Sequence, residues 1–136
     1  MTFMVLTAAL VTVSGNDLST YCAKAELGME VEEKDVTTFG SLGWKTRLGG
    51  LKDGALALKW INDLADGALD EILWGIFGTV VTFSARAVNT AVSASNPTYS
   101  GNLLVSSHKP IAGEVGGVNE FDVDWKTSGA IARAVA

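Results

Sequence analysis

Ten residues, from Ala23 to Glu32, alternate without a break. Ala23, Ala25, Leu27, Met29 and Val31 are apolar, and Lys24, Glu26, Gly28, Glu30 and Glu32 separate them. A period of two over this length predicts one long β-strand with an apolar face and an acidic face, because successive strand side chains point to opposite sides. Such a strand must have its apolar face covered by a second layer. The same period returns over Val81, Phe83, Ala85 and Ala87. It returns again over Val118–Lys126, with Phe121, Val123 and Trp125 inward and Glu120, Asp122 and Asp124 outward. Further strands are expected in the N-terminal stretch of Phe3, Val5, Leu10, Val11 and Val13, over Gly54–Trp60, and over Tyr99–Lys109.

The connections between these strands carry their own signals. Ser14-Gly15-Asn16-Asp17 reads as a turn in which Gly15 and Asn16 supply positive φ. Polar residues from Asn89 to Pro97 and the glycine-containing Pro110–Gly117 read as loops. One helix is expected, entered near Asp66. Leu69, Ile72, Leu73, Ile76 and Phe77 fall at helical spacing, Asp70 and Glu71 suit its first turns, and Gly78 suits its end. Glu33–Asp53 loses all pattern and holds Gly40, Gly43, Gly49 and Gly50 among Phe39, Leu42, Trp44 and Leu48. A loop of this length is uncommon in a compact domain and is usually functional. The sum is a mainly β chain, a sandwich or barrel of six to eight antiparallel strands with one flanking α-helix and a long extended loop. Its 136 residues suit a single domain over 1–136.

Composition narrows the function. Hydrophobic residues make up 48% and charged residues 18%, with a net charge of −5. That balance excludes intrinsic disorder and argues against electrostatic attraction to nucleic acid or anionic lipid. A charged share below the usual ~25% suggests surface hidden in an assembly. The first basic residue is Lys24, so residues 1–16 lack the basic region of a secretory leader. The uncharged run Ile72–Ala85 falls short of the ~20 residues of a membrane span. A soluble chain, made and kept in a cytoplasm at least initially and without a membrane partner, is expected.

Catalytic and cofactor signatures are missing. Cys22 and His108 are the only soft ligands, so no metal site, cofactor site or disulfide framework is expected, and no enzyme motif is present. Cys22 reads as a small buried apolar residue and His108 as an exposed strand-end residue. Trp60, Trp74 and Trp125 fit core packing. Trp44, on the long loop, reads as an interface anchor.

Several segments resemble one family in order and spacing. Thr12-Val13-Ser14-Gly15-Asn16-Asp17-Leu18-Ser19 is similar to the N-G-x-D-L-S start of the tail tube proteins of siphophages that infect actinobacteria, with Gly15-Asn16 in place of Asn-Gly. Asp35-Val36-Thr37-Thr38-Phe39-Gly40 resembles that family's D-V-T-x-x-G, and Gly50-Leu51-Lys52-Asp53-Gly54 its G-L-K-D. Ile72–Phe77, Asn96-Pro97-Thr98-Tyr99 and Pro110–Gly116 also fit. The resemblance covers nearly the whole chain except its plain C-terminal tail.

The resemblance implies a structural virion protein, a β-sandwich with one packed helix. Such subunits form hexameric rings that stack into the hollow tail tube of a long-tailed bacteriophage, assembled in the host cytoplasm. Double-stranded DNA passes through at ejection without specific binding. The implied partners are further copies of the chain, the tape measure, the tail terminator and the distal tail protein. On this reading the 33–53 loop reaches a neighbouring subunit or ring through Phe39, Leu42, Trp44 and Leu48. An acidic lumen suits a conduit, because duplex DNA carries one charge per roughly 1.7 Å and a basic wall would grip it. Glu26, Glu30, Glu32, Glu120, Asp122 and Asp124 are the candidate lumen residues. The alternatives are a tail terminator, another ring or decoration protein of the virion, or a small-molecule-binding β-barrel. The length and four tryptophans suit that barrel, whereas the helix and long loop do not.

Overall fold

The computed structural model describes residues 3–136. Among them are eight strands and one α-helix. The strands are β1 (Leu10–Val13), β2 (Asn16–Asp17), β3 (Cys22–Asp35), β4 (Arg47–Ile61), β5 (Val80–Arg86), β6 (Thr98–Leu104), β7 (Glu120–Lys126) and β8 (Ala132–Ala134). The helix α1 is Leu69–Ile76. Two antiparallel sheets form, one in the order β2-β1-β5-β6-β8 and the other β3-β4-β7.

The sheets share one core. β4 turns Leu56, Leu58 and Trp60 inward, and β7 turns Phe121, Val123 and Trp125 inward. Val11 and Val13 of β1, Phe83 of β5 and Leu103 of β6 meet them from the other sheet. The Trp60 and Trp125 rings lie 6.2 Å apart, tilted by 41°. Trp125 Nε1 donates to the Ser107 carbonyl at 3.1 Å, so its polar atom is satisfied inside the core. α1 adds Leu69 and Leu73, each worth about 1.5–3 kcal/mol when fully buried.

The long alternating strand is present and longer than its pattern, running from Cys22 to Asp35. The segment read as an irregular loop, Glu33–Asp53, is mostly strand. β3 and β4 stay paired out to Asp35 and Arg47, and only residues 36–46 close the hairpin. Two features hid this. Glycines occupy strand positions 49 and 50, and the register shifts between the Val31–Lys52 and Glu33–Gly49 pairs. Such a bulge breaks the period of two. From Arg47 to Asp53 every β4 residue is exposed, while from Gly54 inward alternate residues are buried. The outer half of the hairpin is therefore an arm that leaves the body of the sandwich.

Other expectations need correction. The N-terminal strand is only Leu10–Val13, where β5 is available to pair. Earlier residues are exposed, apart from a bridge between Ala8 and Val88 and a half-buried Ala9. In the first turn Ser14 and Gly15, not Gly15 and Asn16, hold positive φ, at 53° and 80°. With Val13 paired to Asn16, this is a two-residue hairpin loop of the primed type. Ala68, not Asp66, precedes α1 as its cap, because Gly67 (φ 77°) adds a turn first. The strand expected over Tyr99–Lys109 ends at Leu104, and the last begins at Glu120 rather than Val118. β8, three residues long, was too short to carry a pattern. Trp74 faces solvent, at 70% exposure, because Leu69 and Leu73 form the stripe that packs.

Candidate assembly surfaces

The outer face of the β3-β4-β7 sheet follows from its register. Paired residues in antiparallel strands project to the same side. Glu26 pairs with Ala57, which pairs with Asp124. Lys24 pairs with Lys59, which pairs with Asp122. Glu30 pairs with Asp53, and Ile61 with Glu120. One face thus gathers Glu26, Glu30, Glu120, Asp122 and Asp124 from the sequence-predicted set and adds Asp53. Asp53 escaped notice because it lay in the supposed loop.

Three ammonium groups share this face: Lys24, Lys59 and Lys126, the last opposite Ala55. Carboxylates exceed them by three. Lys59 Nζ lies 3.2 Å from Glu120 and Lys126 Nζ 4.0 Å from Asp124, both in solvent. Exposed pairs of this kind contribute little stability. Ala55 and Ala57 leave a trough of about 370 Å³ bordered by Glu26, Glu30, Asp53 and Asp124. Glu32 follows Glu30 in the alternation of β3, opposite the β4 bulge at Gly50 and Leu51, and its carboxylate lies 3.2 Å from Lys34 Nζ.

The arm brings together Phe39, Leu42, Trp44 and Leu48, all exposed. Phe39 is fully exposed and Trp44 is 78% exposed. Their backbone is nevertheless ordered by local bonds. Thr37 N donates to Asp35 Oδ1 at 2.9 Å, Thr46 N donates to Thr37 Oγ1 at 2.9 Å, and Val36 N donates to the Thr46 carbonyl at 3.0 Å. The Thr37 hydroxyl and amide also hold the Asp35 carboxyl below the usual aspartate range. Leu42 takes a left-handed φ of 54°, which costs a non-glycine residue on the order of 1 kcal/mol. Its side chain gains no packing in return within the chain.

The sheet edges are unequal. The five-stranded sheet ends in the very short β2 and β8. The three-stranded sheet ends in β3, fourteen residues long, and β7. A long edge strand offers unpaired N–H and C=O groups to another chain.

Cys22 and His108 form no site. Cys22 is half-buried against the core, its Sγ donates to the Lys24 carbonyl at 3.1 Å, and burial raises its pKa, which disfavours a reactive thiolate. His108 corrects an expectation, since its side chain is 2% exposed rather than solvent-facing. Nε2 lies 3.0 Å from Asp70 Oδ1, and the ring meets Phe121 edge-on at 5.4 Å. This contact pins α1 to the β7 end of the core. Among the described residues, no group of three His, Cys, Asp or Glu is placed to hold a metal ion, and no helix is long and apolar enough to cross a membrane.

No protein family model matches this chain, and no curated protein does so. Solved structures do match in fold. A chain of the virion of the native gene transfer agent particle superposes with a TM-score of 0.73 and 20% identity, over 93% of this chain and 95% of that one. A chain from the tail of the empty gene transfer agent particle, refined with C6 symmetry, superposes with a TM-score of 0.66 and 21% identity. It covers 82% of this chain and 81% of that one. At such identities the likeness is one of fold.

Proposed function

We propose that this chain is a structural subunit of a phage-like tail, assembling into hexameric rings that stack as a hollow tube for DNA. The observation that carries the reading is the whole-length fold likeness to a chain of the gene transfer agent virion. The C6 symmetry of the second matching tail supports a sixfold ring. The surfaces supply the physical means. Side by side, the free edges of β3 and β7 pair with those of neighbours and close the three-stranded sheets into one barrel, which removes the edge liability. The outer sheet face then lines the lumen with Glu26, Glu30, Asp53, Asp122 and Asp124, with Glu120 at one rim. Glu32, next on the same face of β3 and paired with Lys34, continues this lining toward the arm. Inside a tail the tube would surround a tape measure and end against terminator and distal tail proteins.

An acidic wall repels duplex DNA and multiplies its excess charge by the ring symmetry, so DNA slides rather than binds. Charge reversal tests this. Tubes of the wild-type chain should retain no duplex DNA at low salt. Tubes of a Glu26→Lys/Asp124→Lys variant should retain it, and release it as salt rises. Equal behaviour of the two tubes would contradict the lumen assignment.

A further inference from the structure

Ring symmetry limits how two copies can meet. Subunits related by rotation about one axis keep the direction of every strand along that axis. β3 and β7 both run antiparallel to β4, so within the subunit they point the same way. When β7 of one copy lies beside β3 of the next, the two strands are therefore parallel. Both sheets of the subunit are antiparallel inside. The junction must then use the other ladder, with evenly spaced, slanted hydrogen bonds.

The two edges are open where such a junction needs them. No residue of β3 is buried, although alternate residues of the inner half of β4 beside it are. A groove of about 480 Å³ borders β3 at Cys22 to Ala25, between that strand and Leu6, Ala8 and Thr20. β7 is closed only past Lys126, where Thr127 bridges Leu103 and Ser128 N donates to the Asn102 carbonyl at 2.9 Å.

Closure and charge then select a register. A closed barrel has tilted strands, so the register must advance on going round it. Inside the subunit the rows run straight across, as Lys24–Lys59–Asp122, Glu26–Ala57–Asp124 and Gly28–Ala55–Lys126. The advance therefore falls at the junctions. It is an even number of residues, because an odd one would turn the wet face of a strand into the core layer. Moving the neighbour's β7 by two residues toward the arm sets Asp122 beside Glu26. Moving it by two residues the other way sets Asp124 beside Lys24 and Lys126 beside Glu26, with no like charges side by side. Offsets of four set Asp124 beside Glu30 or Lys126 beside Lys24. Among the described residues no ion pair engages Lys24 or Glu26 within the subunit, so both are free for a neighbour.

We infer that β7 of one copy extends the β3 edge of the next as a parallel strand, with Asp124 beside Lys24 and Lys126 beside Glu26. This rests on the reading of the chain as a ring subunit and adds the polarity and register of its junction. The pairing spans Cys22–Glu26 of one copy and Asp122–Lys126 of the other, and the arm-side half of β3 runs on past it.

Thiol pairs test polarity and register together. They are placed in a Cys22→Ser background, which removes the one native thiol. Within one subunit the positions lie two strands apart, roughly 10 Å, too far to bridge. On oxidation of assembled rings, Lys24→Cys/Asp124→Cys and Glu26→Cys/Lys126→Cys should each link neighbours into covalent ladders up to the hexamer. Glu26→Cys/Asp122→Cys should stay unlinked, since only an antiparallel junction or the opposite offset brings that pair together. Lys24→Cys/Asp122→Cys, matched only by an unshifted junction, should stay unlinked as well. Links through either of these two pairs, or no links from any pair in rings that form, would overturn the inference and leave the ring reading standing. A wild-type chain that never forms rings overturns both. A second measurement needs no thiol. Glu26→Lys/Asp124→Lys places like charges at both contacts and should raise the concentration needed for ring formation about tenfold. Adding Lys24→Glu/Lys126→Glu should restore the wild-type concentration. An unchanged threshold in the first variant, or no recovery in the second, would overturn the register.

Discussion

Asn96 is a buried polar residue whose side chain closes the loop after β5. Its Nδ2 donates to the Val88 carbonyl at 3.0 Å, with Thr90 Oγ1 at 3.3 Å, and its Oδ1 accepts from Val88 N at 3.3 Å. Asn96→Ala strands these backbone groups and should cost about 1–3 kcal/mol in chemical denaturation. Asp17 acts on acid stability. Its carboxylate accepts from the Ser19 hydroxyl at 2.6 Å and amide at 3.0 Å, and both bonds lower its pKa. A lowered folded pKa gives stabilisation that is present above the unfolded value of ~3.9 and lost as pH falls through the folded value. Asp17→Asn should flatten the loss of thermal stability below about pH 4, and an unchanged acid limb would refute the role of Asp17. Single residues were the least legible level of the sequence. His108 beside Pro110 gave no sign of its bond to Asp70, thirty-eight residues away, because only the fold brings them together.

At the level of elements, β7 and the inner half of β3 were legible because one face is covered and the other wet, which is what a period of two records. The outer hairpin was not. An arm with exposed residues on both faces has no pattern to impose, and its glycines and register shift imitate a loop. The helix was legible by its buried stripe, but Trp74 was assigned to the core from residue type, when its place on the helix puts it outside. The same division predicts how substitutions behave. Leu73→Ala empties a fully buried site and should cost about 2–5 kcal/mol. Trp44→Ala removes a side chain that touches no core and should change subunit stability by less than about 0.5 kcal/mol. The same Trp44→Ala change should impair tube growth strongly. Equal loss of folding and assembly would refute Trp44 as an anchor.

For the whole molecule, the low charged fraction now has a structural reading. Apolar side chains that the core does not use lie on the arm, around α1, on the 106–119 loop and at Phe3, Met4, Val5 and Leu6, and the long edge of β3 is open. A monomer leaves such surfaces in water, whereas the proposed ring, closing and stacking, would offer copies of the chain to cover them. The acidic face was foreseen strand by strand, but only the register showed that β3 and β7 present it together across Ala55 and Ala57. The central claim is self-assembly, and negative-stain electron microscopy of the purified full chain across a concentration series tests it most directly. The account predicts hollow rings with sixfold symmetry that lengthen into tubes as concentration rises. Particles that stay monomeric at every concentration, or closed assemblies without a central channel, would contradict it.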